Sequence, residues 1–106
     1  MSKSNIKTSG FCLAKRKELI GDDFYEIKQF DDLTIAVLCD GVGSATQGAL
    51  AAKKVTLHII NNFKNLPKAW SIEKAIKEFI KSINTILYSQ SIQEYERPEY
   101  ITTVTV

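Results

Sequence analysis

The chain has 106 residues, of which 44% are hydrophobic and 25% charged, and this balance excludes a disordered chain. Its net charge of +2 is too small to indicate binding to nucleic acid or to a membrane surface. The polar start at residues 1–5 lacks the apolar core of a signal peptide. Without a secretion signal, Cys12 and Cys39 predict buried thiols and no disulfide. We therefore expect a cytoplasmic protein that is one small domain or a piece of a larger one.

The first part of the chain predicts three strands. Residues 10–14 form a short apolar run, and residues 24–30 alternate in part between apolar and polar side chains. Residues 33–39 are almost entirely apolar and rich in β-branched side chains, which is typical of a strand covered on both faces. Asp31 and Asp32 separate the last two strands, so we expect a hairpin with its turn at this pair.

Two amphipathic helices are predicted to follow. Ser44 and Gln47 form a capping-box pattern at the start of the first helix, and Pro67 ends its apolar pattern. The apolar stripe of this helix changes from small to large side chains: Ala45, Ala49, Ala52, Val55, Ile59 and Phe63. Ser71 is the expected N-cap of the second helix. The stripe of that helix is Ile72, Ile76, Phe79, Ile80, Ile83 and Leu87.

The short connection between these helices favours an antiparallel pair. Residues 101–106 are strand-like in composition and run to the end of the sequence, which we interpret as a strand that is cut there. The order of elements predicts an α+β arrangement in which the two helices cover one face of a mainly antiparallel sheet.

The most informative segment is Leu38 to Ser44, in which an acidic residue ends a buried strand and a glycine turn leads into a helix. A carboxylate held at such a strand end needs a partner, and a hard divalent cation such as Mg²⁺ or Mn²⁺ is one. Gly41 has no side chain, so its carbonyl could also approach a metal. A plain turn or capping role for Asp40 is the alternative. The glycine spacing does not match a nucleotide-binding loop.

Asp22 and Asp23 form a second acidic site, at the start of the second predicted strand. If the hairpin turns at residues 31–32, Asp23 pairs approximately with Asp40, and the carboxylates gather at one edge of the sheet. Like charges repel each other unless a cation lies between them. This convergence predicts a metal site, whereas an ordinary solvated turn at Asp22 and Asp23 is the alternative.

Three segments together resemble the protein phosphatase 2C (PP2C) family. Residues 40–44, DGVGS, resemble its Asp-Gly-Met-Gly-Gly or Asp-Gly-His-Gly-Gly signature, and residues 21–24, GDDF, are similar to its earlier Glu-Asp signature. Residues 102–104, TTV, are similar to the Gly-Thr-Thr segment that opens a later strand. The three matches follow the family's order and span nearly the whole chain.

This resemblance implies an αββα sandwich, of which residues 1–106 would be the N-terminal part, with the C-terminal part absent. It also implies that two Mn²⁺ or Mg²⁺ ions activate a bridging water to hydrolyse phosphoserine or phosphothreonine in a protein substrate. Asp40 would be the catalytic ligand that bridges both metals, and the Gly41 carbonyl would bind one of them. Asp23 would hold metal-bound water, with Asp22 beside it.

Three departures from the family pattern leave open a non-catalytic regulatory or protein-interaction module. Glu18 occupies the position of the family's phosphate-binding arginine, so Arg16 or Lys17 is the candidate contact for the substrate phosphate. Ile101 replaces a glycine, and the family's remaining metal aspartates have no counterpart in this sequence. We therefore expect the chain alone to be incomplete for catalysis, and to self-associate through an uncovered sheet face.

Overall fold

Three strands and two helices make up the described part of the protein, which a computed structural model gives as residues 23–30, 32–42 and 45–106. In chain order they are β1 (Asp23–Phe30), β2 (Leu33–Val42), α1 (Ala45–Lys64), α2 (Ile72–Tyr95) and β3 (Ile101–Thr102). The predicted strand at 10–14, the predicted cap Ser44 and Cys12 lie outside the described residues. Over these same ranges, no helix has the length and apolar character needed to cross a membrane.

β1 and β2 form the predicted antiparallel hairpin, and Asp32 lies in its turn. The register pairs Phe30 with Leu33 next to the turn and Asp23 with Asp40 at the far end. Directly opposite side chains on antiparallel strands project from the same face of a sheet. The predicted hairpin and its approximate register are therefore confirmed.

β2 is the central strand of the sheet and differs from its prediction in two respects. It continues beyond Cys39 to Val42, because Gly41 and Val42 pair with Thr102 and Ile101 of β3. Its buried side chains alternate with exposed ones: Ile35, Val37 and Cys39 are buried, whereas Ala36, Leu38 and Asp40 are exposed. Over the described residues, helices cover one face of β2 only, as in many antiparallel sheets, so the predicted cover on both faces is not found there.

β3 pairs with β2 more briefly than the predicted strand at residues 101–106 would allow. After Thr102 the regular pairing stops, and it resumes at an isolated bridge between Thr105 and Leu38. In that bridge each backbone N–H donates to the partner's carbonyl oxygen at 2.8 Å. The segment thus follows β2 along its length, with an irregularity between the two points of pairing.

α1 lies directly on the sheet because its first turns carry small residues. Ala51 and Ala52 have no exposed surface. Gly48 is so close to β2 that a Cβ atom there would lie 3.1 Å from both the Gly41 carbonyl carbon and the Val42 nitrogen. The predicted close contact between a small-residue helix face and the sheet is confirmed.

α1 and α2 form the predicted antiparallel pair. Gln47, near the start of α1, donates a hydrogen bond to the hydroxyl of Tyr95, the last residue of α2, at 2.8 Å. Near the other end of the pair, the rings of Phe63 and Phe79 meet edge to face with centroids 5.1 Å apart. The large side chains of both helices pack with the buried face of β2 into one core.

The two ends of α2 are fixed by backbone and side-chain caps. As predicted, Ser71 is the N-cap, and its hydroxyl accepts a hydrogen bond from the Lys74 N–H at 3.1 Å. The C-cap is Glu96, whose backbone is left-handed with φ 59° and whose N–H donates to the Ile92 carbonyl oxygen. Together, the three strands and two helices give the described residues an α+β fold, as the sequence predicted.

Candidate metal centre

Two aspartates lie directly opposite each other at the open end of the hairpin. Asp23 is the first residue of β1, Asp40 lies near the end of β2, and both residues are exposed. The N–H and C=O groups of Asp40 both face Thr103, so the pair with Asp23 is of the non-hydrogen-bonded kind. The Cα atoms of such pairs are about 4.5 Å apart, and their side chains are closer than in hydrogen-bonded pairs.

Two ionised aspartates in this arrangement repel each other, because both carry a negative charge. Like charges directly opposite on neighbouring strands destabilise a sheet, and a cation placed between them removes the repulsion. Carboxylate oxygens are the ligands that Mg²⁺ and Mn²⁺ prefer. The chemistry of this donor pair therefore fits a hard divalent cation.

Gly41 adds a third oxygen at the same edge. Backbone carbonyls alternate in direction along a strand, and the Asp40 carbonyl oxygen accepts from Thr103 of β3 at 2.9 Å. The Gly41 carbonyl therefore faces the other side of β2, where β1 and Asp23 lie. The backbone of Gly41 is held close to Gly48, so its position depends on how α1 packs on the sheet.

Thr103 is a neighbour of Asp40 to which the sequence analysis assigned no role at the site. Its N–H donates to the Asp40 carbonyl oxygen, and its hydroxyl lies 3.3 Å from the Asp40 nitrogen. The composition of residues 101–106 indicated only strand propensity for both threonines, although Thr102 and Thr103 also matched a family segment. Its position follows from the register of the sheet, because the pairing of Gly41 with Thr102 brings Thr103 opposite Asp40.

Cys39 lies on the opposite face of β2 from Asp40, among the core residues. Its thiol is free and fully buried, which confirms the prediction of a small buried side chain. Burial raises the pKa of the Cys39 thiol, and the nearby hydroxyls of Thr56 and Thr102 lower it by less. The Thr56 hydroxyl makes no hydrogen bond of normal geometry, so its contact with the sulfur is weak. Cys39 therefore stays a protonated core residue at neutral pH.

The remaining predicted site residues, Asp22, Arg16 and Lys17, lie outside the described ranges. Their roles stay predictions. In the part of the chain that the structure describes, no group of three or more His, Cys, Asp or Glu side chains could hold a metal. The described donors are thus two carboxylates and one carbonyl. They fit a cation that keeps several water ligands, as Mg²⁺ does.

Comparison with known proteins identifies the family. The family model of protein phosphatase 2C matches residues 14–106, which is most of the chain. Neither the curated proteins nor the solved structures gave a match. The chain therefore belongs to the protein phosphatase 2C family, as its three ordered segments suggested. Proteins of this family are phosphatases that act on phosphoproteins and are generally metal-dependent.

Proposed function

We propose that this chain provides part of the active site of a metal-dependent phosphatase that hydrolyses phosphoserine and phosphothreonine in proteins. The register that sets Asp23 opposite Asp40 carries this proposal, because it brings two carboxylates together on one exposed rim. Family membership supports it independently. We extend the proposal to a cytoplasmic location, as the sequence led us to expect.

In this proposal Mn²⁺ or Mg²⁺ is held by Asp40 and the Gly41 carbonyl. Asp23 orients metal-bound water, with Asp22 beside it. When bound, a pair of such ions supplies a water of lowered pKa and neutralises charge on the phosphoryl group. The protein's own contribution is to fix two oxygen ligands and the carboxylate of Asp23 on adjacent strands, where the backbone ladder holds them in place.

The substrate phosphate and the remaining metal ligands need further groups. We propose that Arg16 or Lys17 contacts the substrate phosphate. Glu18 occupies the position at which the family has its phosphate-binding arginine. Two carboxylates and a carbonyl do not complete a two-metal site, which typically uses several carboxylates. We therefore propose that residues 1–106 are the N-terminal part of one phosphatase domain.

The test is Mn²⁺-dependent release of phosphate from a phosphothreonine peptide by the gene product that carries residues 1–106. Asp40→Asn keeps the size of the side chain and removes its charge, so we expect hydrolysis to fall by at least about tenfold. Asp32→Asn is the matched control, because Asp32 is an exposed aspartate of the same hairpin at its opposite end. It should retain wild-type activity.

Wild-type activity in Asp40→Asn would contradict the assignment of that residue. If the wild-type gene product binds Mn²⁺ but hydrolyses no phosphopeptide, the non-catalytic module would be the better account of this chain. The two outcomes are distinct, because the first concerns one residue and the second concerns the reaction.

A further inference from the structure

The backbone ladder between β2 and the segment after β3 is irregular beside Asp40. The Thr103 N–H donates to the Asp40 carbonyl oxygen at 2.9 Å, as in a regular antiparallel pair. The Asp40 N–H, however, donates to the Thr103 hydroxyl at 3.3 Å. The Thr103 carbonyl oxygen instead accepts from the Thr102 hydroxyl at 2.9 Å.

The same ladder is regular two residues away. Leu38 and Thr105 exchange two backbone hydrogen bonds of 2.8 Å, with no side chain involved. A side chain therefore replaces a backbone acceptor at the position of the candidate metal ligand, and not at the next pair along the ladder.

The Thr103 hydroxyl contacts both backbone polar groups of Asp40. It accepts from the Asp40 N–H and donates to the Asp40 carbonyl oxygen, which is 3.4 Å away. Threonine is β-branched and has a restricted χ1 angle, so a hydroxyl held in this way has little freedom. Both peptide groups that flank the Asp40 Cα atom are thus restrained by one side chain.

We propose that Thr103 is a positioning residue for the metal centre. By fixing the peptide groups on both sides of Asp40, its hydroxyl sets the direction of the Asp40 carboxylate and of the Gly41 carbonyl. The need for such a restraint follows from Gly41, whose backbone is intrinsically free to change direction. Gly48 restrains Gly41 from the helix side, and Thr103 restrains it through Asp40.

This inference rests on the proposed function, since it takes Asp40 as a metal ligand. Strand propensity gives a simpler reason for a threonine at position 103, and the two accounts differ in their requirement for the hydroxyl. Valine has the shape and strand propensity of threonine without its oxygen. Thr103→Val therefore separates the two accounts, and Thr103→Ser restores the hydroxyl on an unbranched side chain.

The experiment compares amide hydrogen exchange in the metal-free protein with Mn²⁺ affinity measured by calorimetry. In Thr103→Val we expect exchange of the Asp40 amide to accelerate, while the Leu38 amide keeps its protection. We also expect the Mn²⁺ affinity to fall by about tenfold, the lower end of what is typical when a group that orients a metal ligand is lost. Thr103→Ser should recover both properties in large part.

Thr105→Val is the matched control, because Thr105 belongs to the regular part of the same ladder. It should leave the Asp40 amide and the Mn²⁺ affinity unchanged. If Thr103→Val does not fold, Thr103→Ala provides the hydroxyl-free variant, with thermal unfolding as the check that the fold is retained.

The proposal is overturned if the Asp40 amide in Thr103→Val exchanges at the wild-type rate. It is also overturned if exchange accelerates but Mn²⁺ affinity does not change, since the contact would then be structural. Failure of the proposed function would give another result, because the wild-type protein itself would bind no Mn²⁺. That result would also exclude the positioning role of Thr103.

Discussion

At the scale of single residues, Gly48 is the position where the packing of α1 on the sheet is tightest. A Cβ atom there would meet the backbone of Gly41 and Val42 at 3.1 Å. This backbone is paired with Thr102 and Ile101 of β3, so it cannot move aside cheaply.

Gly48→Ala should therefore destabilise the protein although alanine is the better helix former. Overpacking costs about 1–3 kcal/mol, against a gain in helix propensity of about 1 kcal/mol. We expect a net loss of up to about 2 kcal/mol in the free energy of unfolding, measured with denaturant. Lys53→Ala, an exposed change in the same helix, should stay within about 0.5 kcal/mol of wild type. A Gly48→Ala protein more stable than wild type would contradict this expectation, since the backbone of β2 would then shift to accommodate the methyl group.

A second contact at the residue scale joins Tyr100 to Glu94. The Tyr100 hydroxyl donates to a Glu94 carboxylate oxygen at 2.5 Å, which raises the pKa of Tyr100 to about 12. The same hydrogen bond lowers the pKa of Glu94, and a hydrogen bond from Gln90 adds to the effect. Folding thus favours the protonated phenol together with the ionised carboxylate.

The stability that this contact adds should depend on pH in a defined direction. Because the folded pKa of Tyr100 lies above its ordinary value of 10.0, the contribution is complete below pH 10 and is lost as the pH rises toward 12. The depressed pKa of Glu94 means that the contribution is also lost in acid, as the pH falls below the ordinary value of 4.5.

Tyr100→Phe removes the hydrogen bond and tests this dependence. The difference in denaturation midpoint between wild type and Tyr100→Phe should be largest between pH 6 and pH 9 and should shrink toward both extremes. Tyr88→Phe, at a tyrosine that is 59% exposed, should show no such dependence. A difference that stays constant from pH 4 to pH 12 would contradict the role assigned to this pair.

The pairing of Asp23 with Asp40 could be predicted from the sequence because it needs only the position of the hairpin turn. Once residues 31–32 are taken as the turn, counting along two extended strands gives the register. The contact between Asp40 and Thr103 could not be found in this way, since it depends on where a strand returns after two helices.

At the scale of elements, three of the serines in or next to α2 lie in different environments. The Ser71 hydroxyl caps its start, and Ser91 is buried near its end. The Ser91 hydroxyl accepts hydrogen bonds from the backbone N–H groups of Glu99 at 3.2 Å and Tyr100 at 3.0 Å. Ser91 therefore fixes the segment that leads from α2 into β3, whereas Ser89 is exposed within the helix.

Replacing each serine by alanine should rank these roles. Ser71→Ala should cost about 1 kcal/mol through the lost cap. Ser91→Ala leaves backbone donors without their acceptor in the protein interior, at a cost of about 1–3 kcal/mol. Ser89→Ala should be neutral or slightly stabilising, because alanine has the higher helix propensity. Equal effects of Ser91→Ala and Ser89→Ala in chemical unfolding would contradict the role given to Ser91.

The helices were the elements best predicted from the sequence, whereas the predicted bounds of β2 were incomplete. Apolar periodicity, the Ser71 cap and Pro67 are local signals, and they located both helices and their connection. The extension of β2 to Val42 arises from pairing with β3, which lies far away in the sequence. The sequence of β2 also suggested burial on both faces, because its apolar run does not reveal that Leu38 and Val42 are exposed.

At the scale of the whole molecule, the sheet face opposite the helices exposes several large apolar side chains over the described residues. Leu38 is 51% exposed, Val42 45% and Ile101 43%, and the register brings all three to the face that carries Asp40. Apolar side chains gathered on one surface favour association.

We therefore expect the 106-residue chain to self-associate through this face. Sedimentation velocity should show a concentration-dependent increase in mass that Leu38→Lys reduces. Leu50→Lys introduces the same charge at a leucine of α1 that is 41% exposed and lies off this face, and it should leave association unchanged. A monomer at all concentrations, or equal effects of the two variants, would contradict this expectation.

Family membership could be predicted from the sequence because three short segments occur in the family's order. The match over residues 14–106 confirms that interpretation. The roles of Asp22, Arg16 and Lys17 stay predictions, since they depend on side-chain positions outside the described residues. The sequence pattern of Asp40 and Gly41 suggests a site, whereas the exposure of Asp40 and the burial of Gly41 follow from the sheet.

The central claim is that Asp23 and Asp40 share one cation, and calorimetric titration with Mn²⁺ tests it most directly. Asp23→Asn and Asp40→Asn should each weaken binding by at least about tenfold, and the double variant should lose less than the two losses added in free energy, because both residues serve one site. Asp32→Asn should bind as wild type does. Undiminished Mn²⁺ binding in the double variant, or an equal loss in Asp32→Asn, would contradict the claim.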